Sequence, residues 1–166
     1  GGMVFRQPPV VDVPPRVVPH LMNITLTGVS FHDFAKRYFD ELTLIGYAGM
    51  LLDLPPDDVP VNRLQPQWSL YHAEAIVNWR STLLTSGETV LSHVVLQEYD
   101  DQVNPNDPYE HSIVAQWREL SLENGVYVQR LWRETAANAP SRFVLIEERI
   151  PTRFDEPLTF LPFASD

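Results

Sequence analysis

The residues of this chain with the greatest potential for chemistry are two groups of carboxylates. The first group is Glu98, Asp100, Asp101 and Glu110, and the second is Glu147 with Glu148. Paired carboxylates can serve as general acid and nucleophile in glycoside hydrolysis. Residues 98–110 also include two prolines and several Asn and Asp residues, which favour a loop. We therefore expect a long, exposed, acidic loop there, with solvated carboxylates rather than a catalytic pair.

Two shorter patterns match known catalytic motifs only in part. His72-Ala73-Glu74 fits the H-x-E half of the zinc deaminase motif, but the required P-C-x-x-C segment is missing because the chain has no cysteine. Gly28-Val29-Ser30 begins like G-x-S-x-G without its final glycine, and Ser30 is better placed to cap a helix. No phosphate-binding glycine motif occurs. We expect no catalytic, cofactor-binding or metal-binding residues, and no enzyme activity.

The charge balance argues against a grip on nucleic acid. The chain has 12 basic and 22 acidic residues and a net charge of -10. Proteins that hold phosphate backbones need clustered positive charge, and no such cluster is visible, so we expect no sequence-specific nucleic-acid binding. No apolar run reaches the length of a membrane span, so no membrane partner is expected. Without cysteine the chain has no disulfide.

One amphipathic helix is predicted at about 30–45. Ser30 with Asp33 resembles a capping box, and Gly46 is a suitable stop. The apolar face comprises Phe31, Phe34, Ala35, Tyr38, Phe39, Leu42 and Ile45. Spacing of this kind is typical of a helix that covers a sheet.

Two β-hairpins follow, over 76–96 and 114–133. Their turns are predicted at 85–88, which includes Gly87, and at 123–125, which contains Asn124-Gly125. Trp79, Trp117 and Trp132 fall within the predicted strands, where aromatic residues usually pack on a sheet face. The sequence thus predicts an α+β fold, an antiparallel meander of about four to six strands covered by the helix.

Composition also divides the chain into segments. Gly1-Gly2 is expected to be a tag remnant, and residues 3–29 a Pro-rich leader that runs extended over the surface. Residues 30–166 are predicted to form a single α+β domain. The tail from Ile150 onward is predicted to be loop-like because of its prolines.

The order of segments along the chain resembles a portal-like structural family of tailed bacteriophages, formally a domain of unknown function. The segments that carry the resemblance best are GYAGMLLDLP at 46–55 and AEAIVNWR at 73–80. Weaker matches, such as VFRQPPVV at 4–11 and QWRELSL at 116–122, extend it over nearly all of residues 4–163.

The resemblance implies a non-enzymatic virion protein. Portal proteins form homo-oligomeric rings, commonly dodecameric, at one vertex of the phage head, where DNA is packaged and ejected. They bind the terminase and the head–tail connector proteins. Full portals continue into long stem helices after a segment like Leu158–Phe163, so residues 30–166 resemble a wing-region fragment of a longer protein. The expected location is the portal vertex of the virion, and the host cytoplasm during assembly.

Two other functions stay open at this point. One is a different interaction module, such as a head–tail adaptor or a tail protein. The other is a hydrolase that uses acidic residues such as Glu98 and Glu147. The portal interpretation predicts a mobile loop at 98–110, whereas a hydrolase requires a cleft with two carboxylates about 5–9 Å apart.

Overall fold

A computed structural model describes residue 7 and residues 10–54, 66–135 and 141–166. The expected tag remnant at residues 1–2 lies outside the described residues. The helix and strands are α1 (Phe31–Ile45), β1 (Ala48–Asp53), β2 (Gln67–His72), β3 (Ile76–Leu83), β4 (Thr89–Asn104), β5 (Asp107–Glu123), β6 (Val126–Glu134), β7 (Phe143–Arg149), β8 (Thr152–Arg153), β9 (Glu156–Pro157) and β10 (Phe163–Ser165). No helix among these residues is long and apolar enough to cross a membrane.

The chain forms two compact units, Gly1–Ala73 with Pro162–Asp166, and Glu74–Leu161. The sequence predicted a single domain over 30–166, and the structure instead divides that range after Ala73 and again before Pro162. The α+β class and the antiparallel meander are confirmed.

The first unit contains α1 and a sheet of strand order β10-β1-β2. The hydroxyl of Ser30 accepts a hydrogen bond from the Asp33 backbone N–H at 3.1 Å, and Gly46 ends the helix with φ 86°. Phe34 is buried and meets Trp68 of β2 edge-on, with ring centroids 5.8 Å apart. The helix was expected to cover the meander; its neighbouring strands in this unit are β1 and β2.

Part of the Pro-rich leader differs from the extended run that its prolines favour. Val18–Met22 form a short 3-10 helix with Pro19 in its first turn, where a missing N–H costs little. Ile24 is buried, and its carbonyl accepts a hydrogen bond from the Trp68 backbone N–H at 2.9 Å. The segment therefore joins the first unit through a backbone contact that composition does not reveal.

The second unit is built on a five-stranded antiparallel meander of order β3-β4-β5-β6-β7. Both predicted hairpins are confirmed, and Asn124 and Gly125 close the second with positive φ values of 51° and 79°. Val94, Leu96, Leu120 and Tyr127 are fully buried on one face of this sheet.

The tail after Ile150 adds structure that was predicted to be loop. Strands β8 and β9 pair as a small hairpin, and β10 pairs with β1. Leu158 is buried, and its carbonyl accepts a hydrogen bond from the Tyr127 backbone N–H at 2.8 Å. The loop prediction for the tail is therefore wrong, because β10 pairs with a strand distant in sequence and the two-residue strands β8 and β9 are too short to form a recognisable local pattern.

Candidate functional site

The acidic stretch expected to be a mobile loop is a two-stranded β-ribbon, residues 97–115. Strand β3 pairs with β4 only as far as Leu96, and β6 pairs with β5 only from Gln116 onward. Beyond those points, within the part of the chain that the structure describes, β4 and β5 pair only with each other. Eight further residues of β4 correspond to about 25 Å of strand. The loop prediction is wrong at this place.

The two prolines do not prevent the ribbon from forming, because they lie at positions where the regular ladder of backbone hydrogen bonds between β4 and β5 is interrupted. Pro105 lies in the turn, which the Asn104 side chain stabilises by accepting a hydrogen bond from the Asn106 backbone N–H at 2.9 Å. Pro108 is one of the extra residues of β5 at the register irregularity, since Asn104 pairs with Asp107 and Val103 with His111. Proline is tolerated at such irregular positions of a sheet.

One face of the ribbon exposes apolar side chains. Tyr99 lies opposite Ala115 and Ile113 opposite Asp101, so these residues share a face with Val103. Tyr99 is 68% exposed and Ile113 73% exposed, and Tyr109 near the tip is 92% exposed. A strip of exposed apolar groups on a projecting ribbon is typical of a surface that meets another protein.

The other face carries a network of ion pairs at the base of the ribbon. Arg118 donates two hydrogen bonds to the Glu98 carboxylate, at 2.6 and 3.0 Å, and Gln116 donates a third at 3.2 Å. Arg133 of β6 donates to Asp100 at 2.7 Å and to the Gln116 side-chain oxygen at 3.3 Å. The network ties the ribbon to Arg118 and Arg133 in the sheet beyond its base, and an isolated two-stranded hairpin needs such support in water.

This network decides the role of two carboxylates that were weighed as catalytic candidates. Glu98 and Asp100 share a face, but each is held by an arginine. A glycosidase pair instead needs one carboxyl group that keeps its proton. The arrangement therefore fits structural ion pairs better than general acid–base chemistry.

The remaining acidic candidates lie apart from this pair. Asp101 contacts the exposed His111 at 3.1 Å, and Glu110 accepts a hydrogen bond from Asn104 at 2.5 Å. On β7, Glu148 pairs with Arg130 at 2.5 Å and Glu147 lies 4.0 Å from Arg149. The two groups of candidates are on different strands, and each member has its own local partner.

A histidine–carboxylate contact on the opposite sheet face escaped the sequence reasoning. His93 Nδ1 lies 3.7 Å from Glu119, whose other oxygen accepts a hydrogen bond from the Trp132 indole at 2.8 Å. Burial lowers the pKa of His93, although Glu119 acts in the opposite direction. The sequence signal for this contact is the alternation of charged and aromatic residues along β5 and β6. That alternation identifies contacting partners only when the register between the strands is known.

An arginine-centred cluster lies beside this contact. Arg130 pairs with both Glu123 and Glu148, and its hydrogen bonds lower the pKa of Glu123 while raising its own. Trp117 and Trp132 are cross-strand neighbours, and Trp117 meets Phe143 edge-on at 5.0 Å. Trp117 and Trp132 agree with the expectation that tryptophans in strands pack on a sheet face. Trp79 on β3 differs, since it is 53% exposed.

Two cavities lined by described residues of the second unit each contain only one of the candidate carboxylates. A small cavity of about 30 Å³ is lined by Arg118, Gln129, Arg130, Leu131, Glu147 and Arg149. A shallow depression of about 280 Å³ at the ribbon tip is lined by Gln102, Val103, Asn104, Pro105, Glu110 and Ser112. The first holds one carboxylate among three arginines, the second holds a single carboxylate, and neither is lined by His93.

The partial motifs are accounted for locally. Ser30 is the helix cap that its position predicted, and it also donates a hydrogen bond to the Asp33 carboxylate at 2.7 Å. His72 contacts Glu41 of α1 at 3.0 Å. Among the described residues, no group of three or more His, Asp or Glu side chains could hold a metal ion.

Comparisons with known proteins assign no family. No protein-family model matches the chain, and no curated protein matches it.

Proposed function

We propose that this chain is a non-enzymatic structural protein of a tailed bacteriophage, the wing region of a portal protein. The observation that carries the structural part of this proposal is the ribbon, which has a fixed base and an exposed apolar face. The portal assignment itself rests on the resemblance of segments such as 46–55 and 73–80.

The ribbon suits protein–protein contact for a physical reason. Strand alternation sends its acidic residues Glu98 and Asp100 into ion pairs on one face and leaves Tyr99 and Val103 exposed on the other. Exposed tyrosines provide large contact areas at low entropic cost, and they are enriched at protein interfaces. A ribbon of this composition has no basic groove for a phosphate backbone. Its partner in the proposal is a protein, in a portal a neighbouring subunit, terminase or connector.

The proposal is tested on particles of the phage or prophage that encodes the chain. Immunogold labelling against residues 10–54 is expected to mark a single vertex of the head, both in virions and in tail-less heads. The gene for a terminase large subunit is expected directly upstream. Label on the tail alone would favour the tail-protein alternative, and particles without any label would refute the proposal.

The hydrolase alternative has its own test. The purified chain is added to a suspension of peptidoglycan, and the turbidity is followed beside a lysozyme control. We expect no clearing. Clearing that disappears in the Glu98→Gln or Glu147→Gln variant would overturn the non-enzymatic assignment, since it would show that these carboxylates take part in chemistry.

A further inference from the structure

The face of the ribbon that carries Tyr99 also carries an acid at its centre. Three cross-strand pairs make up this face, namely Tyr99 with Ala115, Asp101 with Ile113, and Val103 with His111. We propose that this face binds a basic segment of another protein, in which a lysine or arginine lies between apolar side chains. The inference deepens the proposed function, and it rests on that function for the ribbon as a surface of protein contact.

The pattern of side chains along β4 is apolar, acidic and apolar. Tyr99, Asp101 and Val103 follow one another at every second residue, which corresponds to about 7 Å per step. Tyr99 is 68% exposed and Val103 50% exposed, and the Asp101 side chain between them is 63% exposed. A complementary segment therefore presents its cation with an apolar group about 7 Å away on each side. The aliphatic stem of that cation can pack on Ile113, which lies beside Asp101 and is 73% exposed.

The outer half of the ribbon has no lysine or arginine to balance its acids. Residues 97–115 contain neither of these residue types. The acids at the base, Glu98 and Asp100, are paired with arginines that lie outside the ribbon. Among the described residues, no lysine or arginine forms an ion pair with the acids of the outer half, which are Asp101, Asp107 and Glu110. A basic partner is therefore complementary in charge to the same surface that is exposed and apolar.

Charge also disfavours the other molecules that could cover an apolar face. A second ribbon would bring the acids of two copies together, and like charges across strands are unfavourable. A phosphate backbone or an anionic lipid surface would be repelled by the same carboxylates. A basic protein segment is attracted instead, and the net charge of -10 raises the rate at which it meets the chain.

Selection from a displayed library of random peptides tests this preference without assuming a particular partner. Peptides that bind the Asp101→Asn/Ile113→Ser variant are removed first, and the remainder are selected on the immobilised native chain. We expect the recovered peptides to be enriched severalfold in lysine and arginine over the starting library. We also expect apolar residues to recur at the second position from the cation.

The affinity of one recovered peptide, labelled with a fluorophore, is then measured by anisotropy. Ile113→Ser is expected to weaken binding about tenfold, because a large apolar side chain loses its buried contact. Asp101→Asn is expected to weaken it severalfold at low ionic strength and less in high salt, because an exposed ion pair is screened. The matched controls are Leu83→Ser on β3, where Leu83 is 69% exposed, and Glu88→Gln in the first hairpin turn, where Glu88 is exposed. Each control should stay within about twofold of the native affinity.

Four results would overturn the inference. They are a selection that yields no peptides or peptides no richer in basic residues than the library, ribbon variants that bind as tightly as the native chain, controls that lose as much affinity as the ribbon variants, and binding to phosphatidylserine vesicles that Ile113→Ser abolishes. Circular dichroism checks the fold, and Tyr99→Ser takes the place of Ile113→Ser if that variant does not fold. Vertex labelling of particles is a separate measurement, so a ribbon without this preference would leave the portal proposal standing.

Discussion

The ion pair between Glu98 and Arg118 should be the strongest polar contribution to the ribbon base. Its two hydrogen bonds are short, at 2.6 and 3.0 Å, and the side chains are only 16% and 21% exposed. Arg118→Met keeps the aliphatic stem and removes the guanidinium. The Glu98 carboxylate then keeps the hydrogen bond from the Gln116 side chain but loses the positive charge beside it, in a largely dehydrated place.

The expected loss of unfolding free energy lies between two limits. Breaking a fully buried pair costs about 3–5 kcal/mol, whereas an exposed pair contributes about 0–1 kcal/mol. With roughly four-fifths of each side chain covered, we expect Arg118→Met to cost about 2–3 kcal/mol. That loss corresponds to a fall in melting temperature of roughly 5–10 °C for a chain of this size.

A double-mutant cycle separates the pair from its surroundings. The variant Glu98→Leu/Arg118→Met removes both dehydrated charges, so it is expected to lie within about 1 kcal/mol of the native protein. Urea unfolding followed by tryptophan fluorescence gives each free energy, with Trp117 and Trp132 reporting on the second unit. The coupling energy between Glu98 and Arg118 should be about 2 kcal/mol.

The matched control is the exposed pair of Arg142 and Glu134, with a separation of 2.9 Å and side chains 75% and 49% exposed. Arg142→Met is expected to cost less than about 0.5 kcal/mol. If Arg118→Met cost no more than this control, or if the double variant were as unstable as the sum of its single variants, the anchoring role of the pair would be refuted.

Three further predictions concern local features. Because burial lowers the pKa of His93 in the folded state, the unfolded chain takes up the proton first as the pH falls, so the free energy of unfolding is highest above about pH 6.5 and decreases below it. His93→Gln should reduce this dependence of the free energy of unfolding on pH. An equal dependence in the variant and the native protein would contradict the attribution to His93. Gly125→Ala, at φ 79°, should lower the free energy of unfolding by about 1–2 kcal/mol, measured in urea, and a neutral effect would count against the turn. Ser30→Ala should cost about 1 kcal/mol, while Ser30→Thr retains most of the cap, and equal losses in both would refute the capping role.

The sequence predicted those elements whose signals are local. Helix α1 follows from Ser30, Gly46 and a helical apolar period, and its bounds lie within a residue of the prediction. The hairpin turn at Asn124-Gly125 follows from residue types that accept positive φ. The meander could also be predicted, because every strand in it pairs with its neighbour along the chain.

The parts that were missed depend on partners far apart in sequence. Strand β10 pairs with β1 across more than a hundred residues, and no local pattern in Phe163–Ser165 indicates this. Residues 98–110 were predicted as a loop because prolines and acids dominate their composition. What keeps them in a ribbon is the cross-strand ladder and the contact of Asp100 with Arg133, 33 residues away. Such ion pairs cannot be inferred from a single sequence.

The alternation of side chains along β4 and β5, which was not recognised from the sequence, gives the ribbon two distinct faces. Glu98 and Asp100 are paired with arginines on one face, whereas Asp101 and His111 pair with each other on the face that carries Tyr99 and Ile113. Apolar groups are left exposed on that second face, where burial in a partner contributes roughly 25 cal/mol per Å². The ordered register of Tyr99 and Ile113 on one face is therefore what turns an acidic segment into a surface suited to protein contact.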